Sequence, residues 1–275
     1  MDEKSDSLSA SGPCRRWRSS PWAGVLVAVI LVAAVAAALA PFNAIYYEAW
    51  IYNDPQTNEE LHDNEMIDFF MAHTSGFFWG QFIALFTGAF LASHVRGMRR
   101  ALLAAVPAGL LLAAVDFAVA WSSSAGVRRR LAWWTENHPG FLPADLFSDD
   151  RFHHVLAAGL AAFPLAAIAG VGLGTLIAPL LRAPAAVVAT LTVVSTMLYG
   201  ACAGVIGWII ATADGESAVL FAFLALLPPA AVTPSAVRTA VGDHGDAFTT
   251  TLLISAVAWA SLMVIAGWLV HRRRK

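Results

Sequence analysis

Six long apolar runs limit what this chain can fold into. They cover roughly Trp22–Phe42, Phe69–Ala92, Ala101–Trp121, Val155–Leu181, Pro184–Ala211 and Thr249–Val270. Each reaches or exceeds the ~20 residues that an α-helix needs to cross the hydrocarbon of a bilayer. The runs are continuous rather than alternating, which excludes membrane β-strands. With 58% apolar and 13% charged residues, the chain lacks the polar surface that a soluble fold of 275 residues requires. The expected fold is an all-α polytopic membrane protein of six transmembrane helices. A single domain would span 22–275 behind a mobile cytoplasmic tail at 1–21, with outer loops at 43–68, 122–154 and 212–248.

Lys and Arg set the expected orientation. With the N-terminus inside, 12 of the 17 fall on the cytoplasmic side, among them Arg15, Arg16, Arg18, Arg96, Arg99, Arg100 and Arg272–Lys275. The first outer loop then carries only acidic charge. The misfit is Arg128–Arg130, a basic triplet on the outer side. The first run resembles a secretory signal, because Ala38-Leu39-Ala40 has the small-x-small cleavage pattern. Its length and the following Pro41 favour an uncleaved anchor.

Two outer loops are more than connectors. Ser122–His154 carries Trp133, Trp134, Phe141, Phe147 and Phe152, which suit a segment lying at the membrane interface. Its Pro139-Gly140 and Pro143 prevent one continuous helix. The stretch Ala218–Leu227 stops at Pro228-Pro229 and is too short to cross, so a re-entrant or interfacial helix is expected there.

The fourth and fifth runs carry a specific pattern. Ala169-Gly170-Val171-Gly172-Leu173-Gly174 leads to Leu181-Arg182-Ala183-Pro184-Ala185-Ala186. This resembles a stretch of the permease subunits of type-2 ABC exporters, where the glycines lie in a span and the Arg at the cytoplasmic turn. Leu226-Leu227-Pro228 with Thr233-Pro234-Ser235-Ala236, and Ala258-Trp259-Ala260 with Arg272–Arg274, look like later motifs of that family. Ser93-His94-Val95-Arg96-Gly97 resembles its cytoplasmic turn but lacks the acidic residue. The resemblance covers about 155–275. It implies a transport subunit in a bacterial plasma membrane, with both termini inside and no enzymatic activity of its own. The partners would be a cytoplasmic ABC ATPase subunit and a second permease copy or related chain, and the cargo an amphiphile. No phosphate-binding loop occurs in this sequence. ATP and magnesium would therefore sit on the partner, with no cofactor, metal or nucleic acid bound here.

Three groups of residues are candidates for a role. Asp116 is the one carboxylate well inside a run, and His73 enters from the same outer side, so an intramembrane Asp–His pair is expected. It would serve as a polar patch on a transport path or as a structural bond between helices. Arg96, Gly97, Arg99 and Arg100 form a short basic turn, suited to docking an ATPase subunit or to simple anchoring. Three i, i+4 pairs of small residues let helix backbones approach, within one subunit or across a dimer seam. They are Gly76 with Gly80, Gly170 with Gly174, and Gly200 with Gly204. The remaining histidines lack metal-site spacing, since His153 and His154 are adjacent and diverge on a helix.

Overall fold

A computed structural model of the chain describes residues 21–51, 66, 69–74, 76–140, 147, 149–177 and 245–273. Among these residues there is no strand. The elements are α1 (Pro21–Ile51), α2 (Phe77–His94), α3 (Met98–Ser123), α4 (Ala125–Asn137), α5 (Asp150–Ile177) and α6 (Gly245–Arg272). A helical stretch at 69–74 precedes α2. Five of the helical segments are long and apolar enough to cross a membrane: Pro21–Pro41, Phe69–His94, Met98–Ser123, Phe152–Ile177 and Leu253–Arg272. They match five of the six expected runs within a few residues. The run Pro184–Ala211, the stretch Ala218–Leu227 and most of the tail lie outside the described residues. So do Gly200 and Gly204, the third of the expected close-packing pairs.

One boundary differs from expectation. α1 continues through Pro41 to Ile51, where an outer loop was expected from residue 43. The added turns contain Tyr46, Tyr47 and Trp50. Such amphipathic aromatics end an apolar run without ending a helix.

α1 and α3 bury mostly small residues and turn large aliphatic ones outward. On α3 the buried positions include Ala101, Ala105, Ala108, Gly109, Leu112 and Ala113. Leu103, Leu110 and Leu111 point outward, Leu103 with 67% of its surface exposed. α1 buries the stripe Val25, Ala28, Val32, Ala36 and Ala40, while Leu26, Val27 and Ile30 stay exposed. In water such apolar faces would drive aggregation. In lipid they cost nothing, and contact between backbones holds helices together instead. The chain is therefore built as a membrane-embedded helical bundle.

Glycine contacts fix the helix directions. α5 lies centrally and packs on α2, α3 and α6. Phe77 of α2 meets Gly159 of α5, Gly88 meets Ala167, and Ala89 meets Gly174, so α2 and α5 run parallel. Gly172 of α5 touches the α6 backbone at Met263 and Gly267. α6 packs extensively on α5 and buries Ser255, Ala256 and Ala260 on the turns before that contact, turns that an ascending α6 would carry past the end of α5, so the two helices run parallel. Gly24 near the start of α1 lies on Phe90 near the end of α2, while Ala36 and Ala40 cluster with Ala120 near the end of α3. If the end where α1 begins is called lower, α1 and α3 ascend. α2, α5 and α6 descend.

The hairpin between α2 and α3 turns at the lower end in a few residues. Val95 donates its backbone N–H to the Leu91 carbonyl at 2.8 Å and closes α2. Gly97 then takes φ 95°, a region that L side chains rarely adopt. The tight turn leaves Arg96, Arg99 and Arg100 exposed at its tip.

Candidate functional site

The upper end is capped by α4. Ser124, between α3 and α4, is buried, and Val127 and Leu131 turn inward one and two turns later. That face carries Arg128 under the rim of the bundle. Its guanidinium donates to the Trp121 carbonyl and, at 3.0 Å, to Ser124 Oγ. It also lies 4.6 Å over the Trp121 ring. The last carbonyls of a helix have no intrahelical donor, and a cation there also meets the negative end of the helix dipole. Arg128 thus finishes α3. Partial burial lowers its guanidinium from the ordinary value, but an arginine stays protonated all the same. Arg130 lies 5.7 Å from the Phe69 ring centroid, while Arg129 stays exposed. The basic triplet that misfits the charge rule is two-thirds occupied in holding the upper end together.

His73 is fully buried beneath this cap. Its Nδ1 donates to the Phe69 carbonyl at 2.6 Å, one turn earlier. That leaves Nε2 as the acceptor, and Arg128 Nη1 approaches it at 3.5 Å. The ring lies 4.7 Å from the Trp121 ring centroid and edge-on to Phe152 at 6.2 Å. Both nitrogens of His73 are therefore engaged.

Asp116 has a different setting. It is fully buried on α3, and neither carboxylate oxygen has a hydrogen-bond partner. Its side chain fills the space left by two missing side chains on α2. A Cβ at Gly76 would collide with the Asp116 carboxylate, and one at Gly80 would meet the Phe163 ring and approach Asp116 Oδ1 to 3.4 Å. The expected His73–Asp116 bond does not form. Arg128, expected in a loop, takes the free nitrogen of His73, and Asp116 lies against α2 a turn below. Other buried polar groups on this side are satisfied locally: Thr74 and Thr87 each donate to a carbonyl one turn back at 2.7 Å. Gln81 is the exception, with neither amide atom partnered. Each unpaired buried polar group costs about 1–3 kcal/mol, and more if charged.

The two described glycine pairs differ in kind. Gly170 faces the Leu85 carbonyl and Gly174 the Ala89 backbone, so this pair lets α5 approach α2 within one chain. Gly76 and Gly80 instead make room for side chains. The third pair, Gly200 and Gly204, lies outside the described residues and is placed on neither side of this division. Gly88 and Gly159 take part in the same α2–α5 contact, and spacing does not single them out because neither has an i+4 glycine partner.

Among the described residues no group of three His, Cys, Asp or Glu side chains is placed to hold a metal ion. The lower end is basic and open. Arg96, Arg99 and Arg100 lie exposed at the α2–α3 turn, and the last turn of α6 brings Arg272 and Arg273 to the same end. No family model, curated protein or solved structure matches the chain. The functional reading therefore rests on these residues and their arrangement.

Proposed function

We propose that the chain is the membrane-spanning permease subunit of an exporter of the type-2 ABC class. It would move an amphiphilic substrate with energy from ATP hydrolysed on a separate subunit. The observation that carries this reading is the lower end. A tight hairpin turn presents Arg96, Arg99 and Arg100 outward, and Arg272 stands at the last turn of α6 on the same end. Exposed arginines on a short turn between packed helices suit the docking of a soluble partner and the transmission of its movement into α2 and α3. This face would lie in the cytoplasm of a bacterial cell, with both termini on that side and a second permease copy or related chain completing the transport path. The helix directions support the six-span count. α5 and α6 both descend, which favours a return crossing between them, and Pro184–Ala211 has the length for it.

Pull-down of the tagged chain from native membranes tests the proposal. Recovery of an ATPase subunit that is lost from Arg99→Glu/Arg100→Glu supports it. Failure to recover one, or a complex indifferent to the charge reversal, overturns it. One observation favours a second reading, a non-transporting accessory or anchoring subunit: α4 leaves Trp133 52% exposed beside Trp134 and His138, an aromatic surface at the opposite end. In that case the same pull-down returns a membrane or extracytoplasmic partner whose capture depends on Trp133 rather than on Arg99.

A further inference from the structure

At the lower end α3 and α6 both pack on α5. Between them runs a groove of about 470 Å³. Leu102 and Leu103 form one wall, Val264 and Ile265 the other, and Arg99 and Trp268 stand at its mouth. The lining is almost wholly apolar, yet the mouth is cationic. The Arg272 guanidinium lies 5.2 Å over the Trp268 ring, so a second arginine is held at the indole that lines the groove with Arg99. Both arginines are exposed, one at the first turn of α3 and the other at the last turn of α6. An apolar channel along two membrane helices, closed at one end by two cations and an indole, has the chemistry of a single phospholipid: acyl chain within, negative headgroup at the rim.

We propose that this groove is a binding site for an anionic phospholipid, its acyl chain between α3 and α6 and its phosphate between Arg99 and Arg272. A soluble protein partner does not fit, because the lining belongs to the apolar spans Met98–Ser123 and Leu253–Arg272. The inference rests only on the chain being membrane-embedded and stands whether or not the exporter reading holds. The site gives Arg99 a second role beside the one it shares with Arg96 and Arg100.

Tryptophan quenching by brominated lipids tests it on the purified full-length chain in vesicles, with no ATPase present. The Trp268 contribution is the difference between the protein and its Trp268→Phe variant. Brominated phosphatidylglycerol in a phosphatidylcholine background is compared with brominated phosphatidylcholine in phosphatidylglycerol-free vesicles. Half-maximal quenching of Trp268 is expected at a mole fraction roughly fivefold to thirtyfold lower for the anionic lipid, the scale set by one to two basic residues at an anionic headgroup. Arg99→Gln/Arg272→Gln removes the preference, and Arg99→Lys/Arg272→Lys keeps it, which separates loss of charge from loss of fold. Equal quenching by the two lipids in the unaltered protein marks an ordinary lipid contact and overturns the proposal. So does a preference that survives the glutamine pair. Absence of quenching by either lipid means that protein covers the groove and likewise sinks the idea.

Discussion

The upper and lower ends of the bundle each carry a cluster of arginines, and the two clusters do opposite things. At the upper end Arg128 reaches under its own helix, donating to the Trp121 carbonyl and to Ser124, with His73 Nε2 at 3.5 Å. At the lower end Arg96, Arg99 and Arg100 are exposed, and nothing among the described residues holds them down. Equal charge in sequence thus corresponds to unequal roles. A cation that finds helix carbonyls and an aromatic face becomes part of the fold. A cation exposed on a tight turn is left for a partner or a headgroup. The rule that counts basic residues per loop treats the two alike, and so Arg128–Arg130 looks like a topological misfit until its contacts are seen.

Mutations separate the two clusters, and stability in detergent is the first readout. Arg128→Ala should have the largest effect. It strips the donor from the end of α3 and leaves His73 Nε2 unpaired, for a loss of about 2–3 kcal/mol, the scale of charge-assisted bonds. A loss below about 0.5 kcal/mol, the range of ordinary surface positions, would place Arg128 with the lower arginines. Gly76→Ala comes next, at about 1–3 kcal/mol, because its Cβ meets the Asp116 carboxylate. Asp116→Ala in the same chain should return much of that loss, and a double-mutant cycle reads the recovery directly. If the two losses simply add, the carboxylate does not occupy the space that Gly76 leaves. The His73–Arg128 contact, at 3.5 Å, should show a smaller coupling of roughly 0.5 kcal/mol in a His73→Phe/Arg128→Gln cycle. Arg96→Gln and Arg100→Gln should have the least effect on stability, within about 0.5 kcal/mol, as for surface positions generally. Their effect should appear instead in recovery of the proposed ATPase subunit.

How much of this was legible in the sequence depends on the kind of force involved. The spans were, because hydropathy summed over some twenty residues is a solvent property that neighbours barely alter. Five apolar runs became helices within a few residues of expectation. α1 outran its apolar stretch because helical hydrogen bonding does not require lipid. The depth of His73 and Asp116 was also legible, since position along a helix follows from a rise of about 1.5 Å per residue. Their pairing was not, because it depends on helix rotation and on competitors. The competitor was spelled out in the sequence: Trp121, Ser124 and Arg128 stand at i, i+3 and i+7, the spacing of one helix face. Read as a continued helical face rather than as a loop, that spacing would have brought Arg128 to the rim. Gly76 and Gly80 were legible as small residues in close contact. What they accommodate, a carboxylate and a phenyl ring rather than a bare backbone, requires the neighbouring helices to be known.

The exposed basic turn and the aromatic cap should lie on opposite sides of a membrane, with the basic turn inside. Single cysteines at Arg99 and at Trp133, introduced after replacement of Cys14 and Cys202, test it with a membrane-impermeant maleimide on intact cells. Trp133→Cys should be labelled at once and Arg99→Cys only after permeabilisation. Labelling of both from the same side, or in the reverse order, would contradict it.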